Sequence, residues 1–236
     1  RRAKGLKVTK ACLIADEVMD KLGFTGRIQK LLKQQEIGAV VFSDVKPDPP
    51  VDEIEKIGQF YIQNGCDGII AIGGGSSMDA AKAAGVRVSF MGELSEFDVG
   101  VGGSAKINKP LPPIICIPTT SGTGSEANQW AVITDEKRDL KFIIMSNFLI
   151  PRLAVVDPDL CKNMPPALTA QTVVDALIHC IEGYTCTGIK YHPFYEALAL
   201  YGVKLVGRSL RKAYVNGKDV DARTDMCMAA IFGGIS

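Results

Sequence analysis

Short apolar runs alternate with longer amphipathic stretches through the first two-thirds of the chain, the pattern of strands and helices feeding a largely parallel sheet. Ala11–Ala15, Ala39–Phe42, Gly68–Ile72 and Ile114–Ile117 read as buried strands. Gly26–Gln35 and Val51–Asn64 read as helices, the second with Val51, Ile54, Ile57, Phe60 and Tyr61 at helical spacing. Three further strand-like runs follow at Ala131–Thr134, Lys141–Met145 and Leu153–Val156. Beyond Asp157-Pro158 only helical periodicity remains: Thr169 to about Thr185, Pro193 to about Val215, and Asp219 to about Ile235. The pattern predicts an α/β domain over 1–160 and a helical one over 161–236, with Met164-Pro165-Pro166 near the boundary, where proline starts a helix well.

Composition narrows the function classes. With 27 Lys+Arg against 26 Asp+Glu, the 236-residue chain carries a formal charge of +1, and its basic residues are scattered. That argues against a nucleic-acid partner, whose recognition rests on clustered Lys and Arg. No apolar stretch approaches the ~20 residues of a membrane span, and the N-terminus lacks a secretory segment. Seven cysteines, an odd number with no Cys-x-x-Cys pair, read as reduced thiols of a cytoplasmic protein. Cys180 and Cys186 read as packing residues. The missing initiator methionine and the apolar stretch Ala229–Ile235 lead to the expectation of a chain truncated at both ends.

Candidate chemistry sits in two loops and one helix. After the strand Gly68–Ile72 comes Gly73-Gly74-Gly75-Ser76-Ser77-Met78-Asp79, with Ser76 and Asp79 spaced as a capping box. Strand, glycine turn and fresh helix N-terminus form either an anion site suited to a pyrophosphate or a tight turn with no ligand. A second cluster, Gly100-Val101-Gly102-Gly103, lacks a preceding strand and reads as a flexible loop. After Ile114–Ile117 runs Pro118-Thr119-Thr120-Ser121-Gly122-Thr123-Gly124-Ser125-Glu126, rich in hydroxyls at the strand edge where α/β sheets bind ligands. Asp16, after the first strand, is an acceptor for a ribose diol or a helix-start acid. Asp175 and His179, four apart on one helix, can share a divalent ion or make a simple hydrogen-bonded pair. Apolar Ala176, Leu177, Ile178 and Ile181 around them predict a buried helix. Glu182 could orient the imidazole, and His192 reads as a turn residue before the helix-starting Pro193.

Taken in order, Gly73–Ser76 with Asp79 and Lys82, Pro118–Glu126, Asp157-Pro158, Met164-Pro165-Pro166 and Asp175-Ala176-Leu177-x-His179-x-x-Glu182-Gly183-Tyr184 resemble the iron-containing (group III) alcohol dehydrogenases. The likeness is nearest to the 1,3-propanediol dehydrogenase and lactaldehyde reductase branch. It implies a Rossmann-like parallel-sheet domain followed by an all-helical domain, as in dehydroquinate synthase, with the helical domain incomplete here. It implies hydride transfer between NAD, with NADP less favoured, and a short-chain primary alcohol or aldehyde, with Fe²⁺, or alternatively Zn²⁺, as Lewis acid. By position, Asp16 would meet the adenosine ribose, Gly73, Gly74, Gly75 and Ser76 with Asp79 the pyrophosphate, and Thr119, Thr120 and Thr123 the phosphate and nicotinamide side. Lys141 would meet the nicotinamide ribose, and Asp175 and His179 would be the first two of four metal ligands. Pro47-Asp48-Pro49-Pro50 departs from the family's Pro-Asn-Pro-Thr, which puts the cofactor contact at position 48 in question. A homo-oligomer is implied for the complete protein. The alternatives are a dehydroquinate-synthase-like lyase, a glycerol-dehydrogenase-like enzyme, or an inactive nucleotide-binding fragment.

Overall fold

The computed structural model describes residues 2–186 and 192–236, so Arg1 and Tyr191 lie outside the described residues. Two compact units emerge, Arg1–Ile117 with Gln129–Ala154, and Pro118–Asn128 with Val155–Ser236. The hydroxyl-rich loop is thus grouped with the helices, where the sequence division placed it before residue 160.

The first unit is built on strands β1 (Lys10–Ala15), β2 (Gly38–Phe42), β3 (Gly68–Gly73), β4 (Ile114–Pro118) and β7 (Leu153–Ala154), in spatial order β2-β1-β3-β4-β7. β1 pairs in parallel with both β2 and β3, and β4 with β7. Strands β5 (Trp130–Asp135) and β6 (Leu140–Met145) form a separate antiparallel hairpin with Thr134 opposite Lys141. Its helices are α1 (Arg2–Gly5), α2 (Glu17–Lys21), α3 (Phe24–Lys33), α4 (Val51–Gln63) and α5 (Gly75–Ser89).

β1 is an almost unbroken apolar run because both faces of the sheet are covered. Cys12 and Ile14 join Ile54, Ile57 and Tyr61 of α4 and Met78, Ala80, Ala81, Ala83 and Ala84 of α5 in one core. Ala11, Leu13 and Ala15 point the other way, toward Leu32, Phe24 and Ile28 of α3. The alanines of α5 let it lie close to the sheet, and each Ile of α4 buried there stabilises the fold by about 2 kcal/mol.

The second unit is helical: α6 (Pro166–Thr185), α7 (Pro193–Val215) and α8 (Val220–Ile235). Proline occupies the first turn of α6 and α7, where its missing N–H costs nothing. Val173, Leu205, Val206, Met226 and Ala229 make the core. Arg223 is fully buried, donating to Thr169 Oγ1 at 2.8 Å, Gly217 O at 3.0 Å and Met164 O at 3.2 Å, which ties α8 to the start of α6 and to the turns around it.

Three expectations are corrected. β7 stops at Ala154, and Val156 packs instead with Cys161, Met164 and Cys227. The Gly100–Gly103 segment forms two tight 3-10 turns, Val99–Val101 and Gly103–Lys106, with Gly103 buried so close to the Phe97 backbone that no Cβ fits. Cys186 is exposed, whereas Cys180 is buried, and burial pushes its thiol up to about 11. Among the described residues no helix is long and apolar enough to cross a membrane.

Candidate cofactor and metal site

In the order β2-β1-β3 the chain runs outward from β1 to β2 and then returns to β3 on the other side of β1. This is a topological switch point, and the edge at the adjacent carboxyl ends of β1 and β3 is where open α/β sheets take their ligands. Asp16 follows β1 and Gly73 closes β3. Asp16 caps α2, its Oδ1 accepting from Met19 N at 2.8 Å. Its other carboxylate oxygen lies 3.4 Å from where a Cβ on Gly73 would stand. Asp16 thus fills the helix-start role expected of it and also faces the glycine turn.

Gly73 has φ +148, and a Cβ there would come within 2.5 Å of Ser77 Oγ, so only glycine fits. The cap of α5 is Gly74, which offers no side chain to the first-turn amides. First-turn amides without a side-chain cap and the positive end of a helix are features that favour an anion. The expected Ser76–Asp79 capping box is not formed. Ser76 Oγ instead accepts from Asp48 N at 3.3 Å, and the Asp79 carboxylate accepts from Val132 N at 3.1 Å. Lys82, fully buried, donates to Trp130 O at 2.9 Å. One face of α5 thus fastens the start of β5 at Trp130 and Val132.

Asp48 brings together residues that the sequence left apart. Its backbone is left-handed, φ +54, its amide reaches Ser76, and its carboxylate pairs with Lys141 Nζ at 2.7 Å. Pro49 O accepts from Thr134 N at 3.0 Å, and Thr134 is the cross-strand neighbour of Lys141. Only the proline-flanked acid signalled this role locally; its partners lie far along the chain.

In the second unit, the loop after β4 is fixed by glycines. A Cβ on Gly122 would meet Thr172 of α6 at 3.0 Å, and Gly124, φ +61, sits against the α8 backbone at Ala230 and Gly234. Thr119 and Ser121 are buried and Thr120 and Thr123 half-buried. Thr123 Oγ1 accepts from Ser125 N at 3.2 Å, and Thr123 O accepts from Asn128 Nδ2 at 3.3 Å.

On α6, His179 Nε2 and Asp175 Oδ1 are 3.7 Å apart, with side chains 33% and 44% exposed, so their lone pairs are open to an ion. An oxygen and a nitrogen donor on one helical face suit Fe²⁺ or Zn²⁺ chemically. No cluster of three or more metal-binding side chains occurs among the described residues. Contrary to the expected burial, Ile178 and Ile181 are exposed beside the pair, as is Glu182. His192 is a cap, its Nδ1 accepting from Phe194 N at 3.1 Å, which is the turn role expected of it.

A family model described as iron-containing alcohol dehydrogenase matches residues 1–158, and its C-terminal counterpart matches residues 169–236. The chain belongs to the iron-containing alcohol dehydrogenases. Among its relatives, a choline dehydrogenase of Bacillus subtilis is 40% identical over 98% of the chain and 57% of its own length. An NAD-dependent methanol dehydrogenase of Bacillus methanolicus is 34% identical over 100% of the chain and 60% of its own. A crystal structure of 1,3-propanediol oxidoreductase superposes with a TM-score of 0.93 at 32% identity, covering 99% of this chain and 60% of that one. The chain therefore spans somewhat more than half the length of these relatives, and the two-domain expectation of parallel sheet followed by helices agrees with them.

Proposed function

We propose that this chain serves an oxidoreductase that moves a hydride between NAD(H) and a short-chain primary alcohol or its aldehyde. The observation that carries the reading is the meeting of Asp16 with the glycine turn Gly73–Ser76 at the switch point of the sheet. Family membership and relatives named for alcohol oxidation support it.

In this reading the uncapped first turn of α5, at Gly74, Gly75 and Ser76, holds the pyrophosphate, and the absence of a Cβ at Gly73 lets the turn close. Asp16 accepts from the ribose hydroxyls, and its charge disfavours the additional phosphate of NADP. Thr119, Thr120 and Thr123 serve the phosphate and nicotinamide side and Lys141 the neighbouring ribose. Asp79 acts one step removed, by holding β5 against α5. Asp175 and His179 hold the metal, Fe²⁺ before Zn²⁺, and a divalent ion so bound supplies Lewis-acid stabilisation of negative charge on a substrate oxygen. The seven free cysteines suit a reducing compartment, the cytoplasm, and the reading includes a homo-oligomer with no nucleic-acid or membrane partner.

The test is a fluorescence titration of the purified protein with NADH and NADPH. Saturable NADH binding, at least tenfold tighter than NADPH, is expected. Asp16→Asn keeps the helix cap while removing the charge, so it should narrow that ratio with little change in NADH affinity. Absence of saturable NADH binding would sink the proposal.

A further inference from the structure

Ser121 belongs to the hydroxyl-rich loop, yet it is buried among sulfurs instead of facing a ligand. Its Oγ is 3.4 Å from Cys227 Sγ and 3.7 Å from Cys161 Sγ, and the two sulfurs are 3.8 Å apart. Cys161 ends the 3-10 turn Pro158–Cys161, and Cys227 lies on α8, 66 residues later. Met164 and Val156 close the cluster with apolar surface. Two thiols in contact need to approach by only about 1.8 Å to reach disulfide bonding distance.

The two thiols are not equivalent. Contact with the Cys161 thiol holds the Cys227 thiol below its ordinary value; burial opposes this, the Ser121 hydroxyl and Arg223 add to it, and Glu126 works against it. The same contact, with burial, pushes Cys161 up. Arg223 donates to three neutral oxygens, so its positive charge is available to a thiolate beside it. Arg223 and Cys227 lie four residues apart on one face of α8, where the guanidinium favours a thiolate, so Cys227 is taken as the nucleophile and Cys161 as the resolving thiol.

We propose that Cys161 and Cys227 form an oxidation site, a thiol pair that a hydroperoxide converts to a disulfide beneath the hydroxyl-rich loop. The Cys227 thiolate attacks the peroxide, the O–O bond breaks, hydroxide leaves and a sulfenic acid forms. The Cys161 sulfur then attacks Cys227, the S–O bond breaks, and water departs with the Cys161 proton. In sum two thiols are oxidised by two electrons and one peroxide is reduced to two waters. Both sulfur partners of Ser121 change at once, and the loop Pro118–Glu126 is where the effect is felt. The pair Cys12 and Cys66 in the first unit is an internal control, because burial pushes Cys12 up to about 12 and raises Cys66 as well, leaving neither a ready thiolate. The proposal stands apart from the cofactor reading.

The folded protein is treated with excess hydrogen peroxide, remaining thiols are blocked with N-ethylmaleimide in denaturant, and unreduced peptides are mapped by mass spectrometry. The expected product joins the Cys161 and Cys227 peptides, is two hydrogens lighter than their sum and is cleaved by dithiothreitol, with Cys12 and Cys66 recovered as maleimide adducts. Cys161→Ser should abolish the link and leave a sulfenic acid at Cys227 that dimedone captures; the mapping of the unaltered protein decides the matter if that variant does not fold. Amide exchange over residues 119–126 should differ between the oxidised and reduced forms. Recovery of both Cys161 and Cys227 as maleimide adducts after exposed Cys186 has been fully oxidised, or Cys227 joined to any other cysteine, overturns the proposal.

Discussion

Gly73 shows how one missing methyl group serves both fold and site. Its positive φ and the nearness of Ser77 Oγ and Asp16 exclude any side chain. Gly73→Ala should lower stability by about 2 kcal/mol in urea unfolding and weaken NADH at least tenfold in a fluorescence titration. Asp48 is a second strained position, left-handed without being glycine. Asn tolerates that backbone and alanine does not, so Asp48→Ala should unfold at lower urea than Asp48→Asn, by about 1 kcal/mol. Asp48→Asn retains the amide that reaches Ser76 but loses the charge facing Lys141.

At the scale of elements, strand pairing carries a pH signature. The Asp67 carboxylate, at the entry to β3, accepts from Thr9 N at 3.0 Å and Lys10 N at 2.9 Å and so fastens β3 to the start of β1. Burial works to raise this carboxyl, and the hydrogen bonds from Thr9 and Lys10 outweigh it, so it rests below its ordinary value. A depressed folded-state value means that the stabilisation is complete above the unfolded value of about 3.9 and is lost as pH falls through the folded one. The urea midpoints of the protein and of Asp67→Asn should therefore differ at pH 7 and converge below about pH 4.

The same scale explains what could be read from residue order. Every strand and the long helices were legible, because burial on one or both faces writes itself as local periodicity. The short α2 and the 3-10 turns over 94–106 were not, since a single turn carries no period. The glycine turn, the hydroxyl loop and the Asp175/His179 spacing were equally local and equally visible. What stayed hidden was long-range: Asp79 turning to β5, Asp48 reaching Ser76 and Lys141, and Ser121 facing two thiols. No spacing rule encodes partners brought together only by packing.

At the scale of the molecule, each unit buries apolar clusters of its own, and in the second unit the Asp175 and His179 side chains remain partly exposed. Metal binding here should consequently be separable from folding, unlike a structural zinc site. Treatment with EDTA is expected to leave the melting temperature within about 1 °C, and His179→Ala to abolish retained iron, measured by elemental analysis, without lowering that temperature. A fall of several degrees on chelation would contradict this.

The tie between Asp48, Ser76, Lys141 and Thr134 also bears on how such a chain can change over time. Asp48 grips Ser76 through its amide and Lys141 through its charge, while Pro49 holds the strand opposite Lys141. A substitution at 48 that reverses or removes charge strands a lysine, and one at 141 strands an acid on a backbone already strained. Descendants of this sequence that keep the acid at 48 should therefore keep a basic residue at 141.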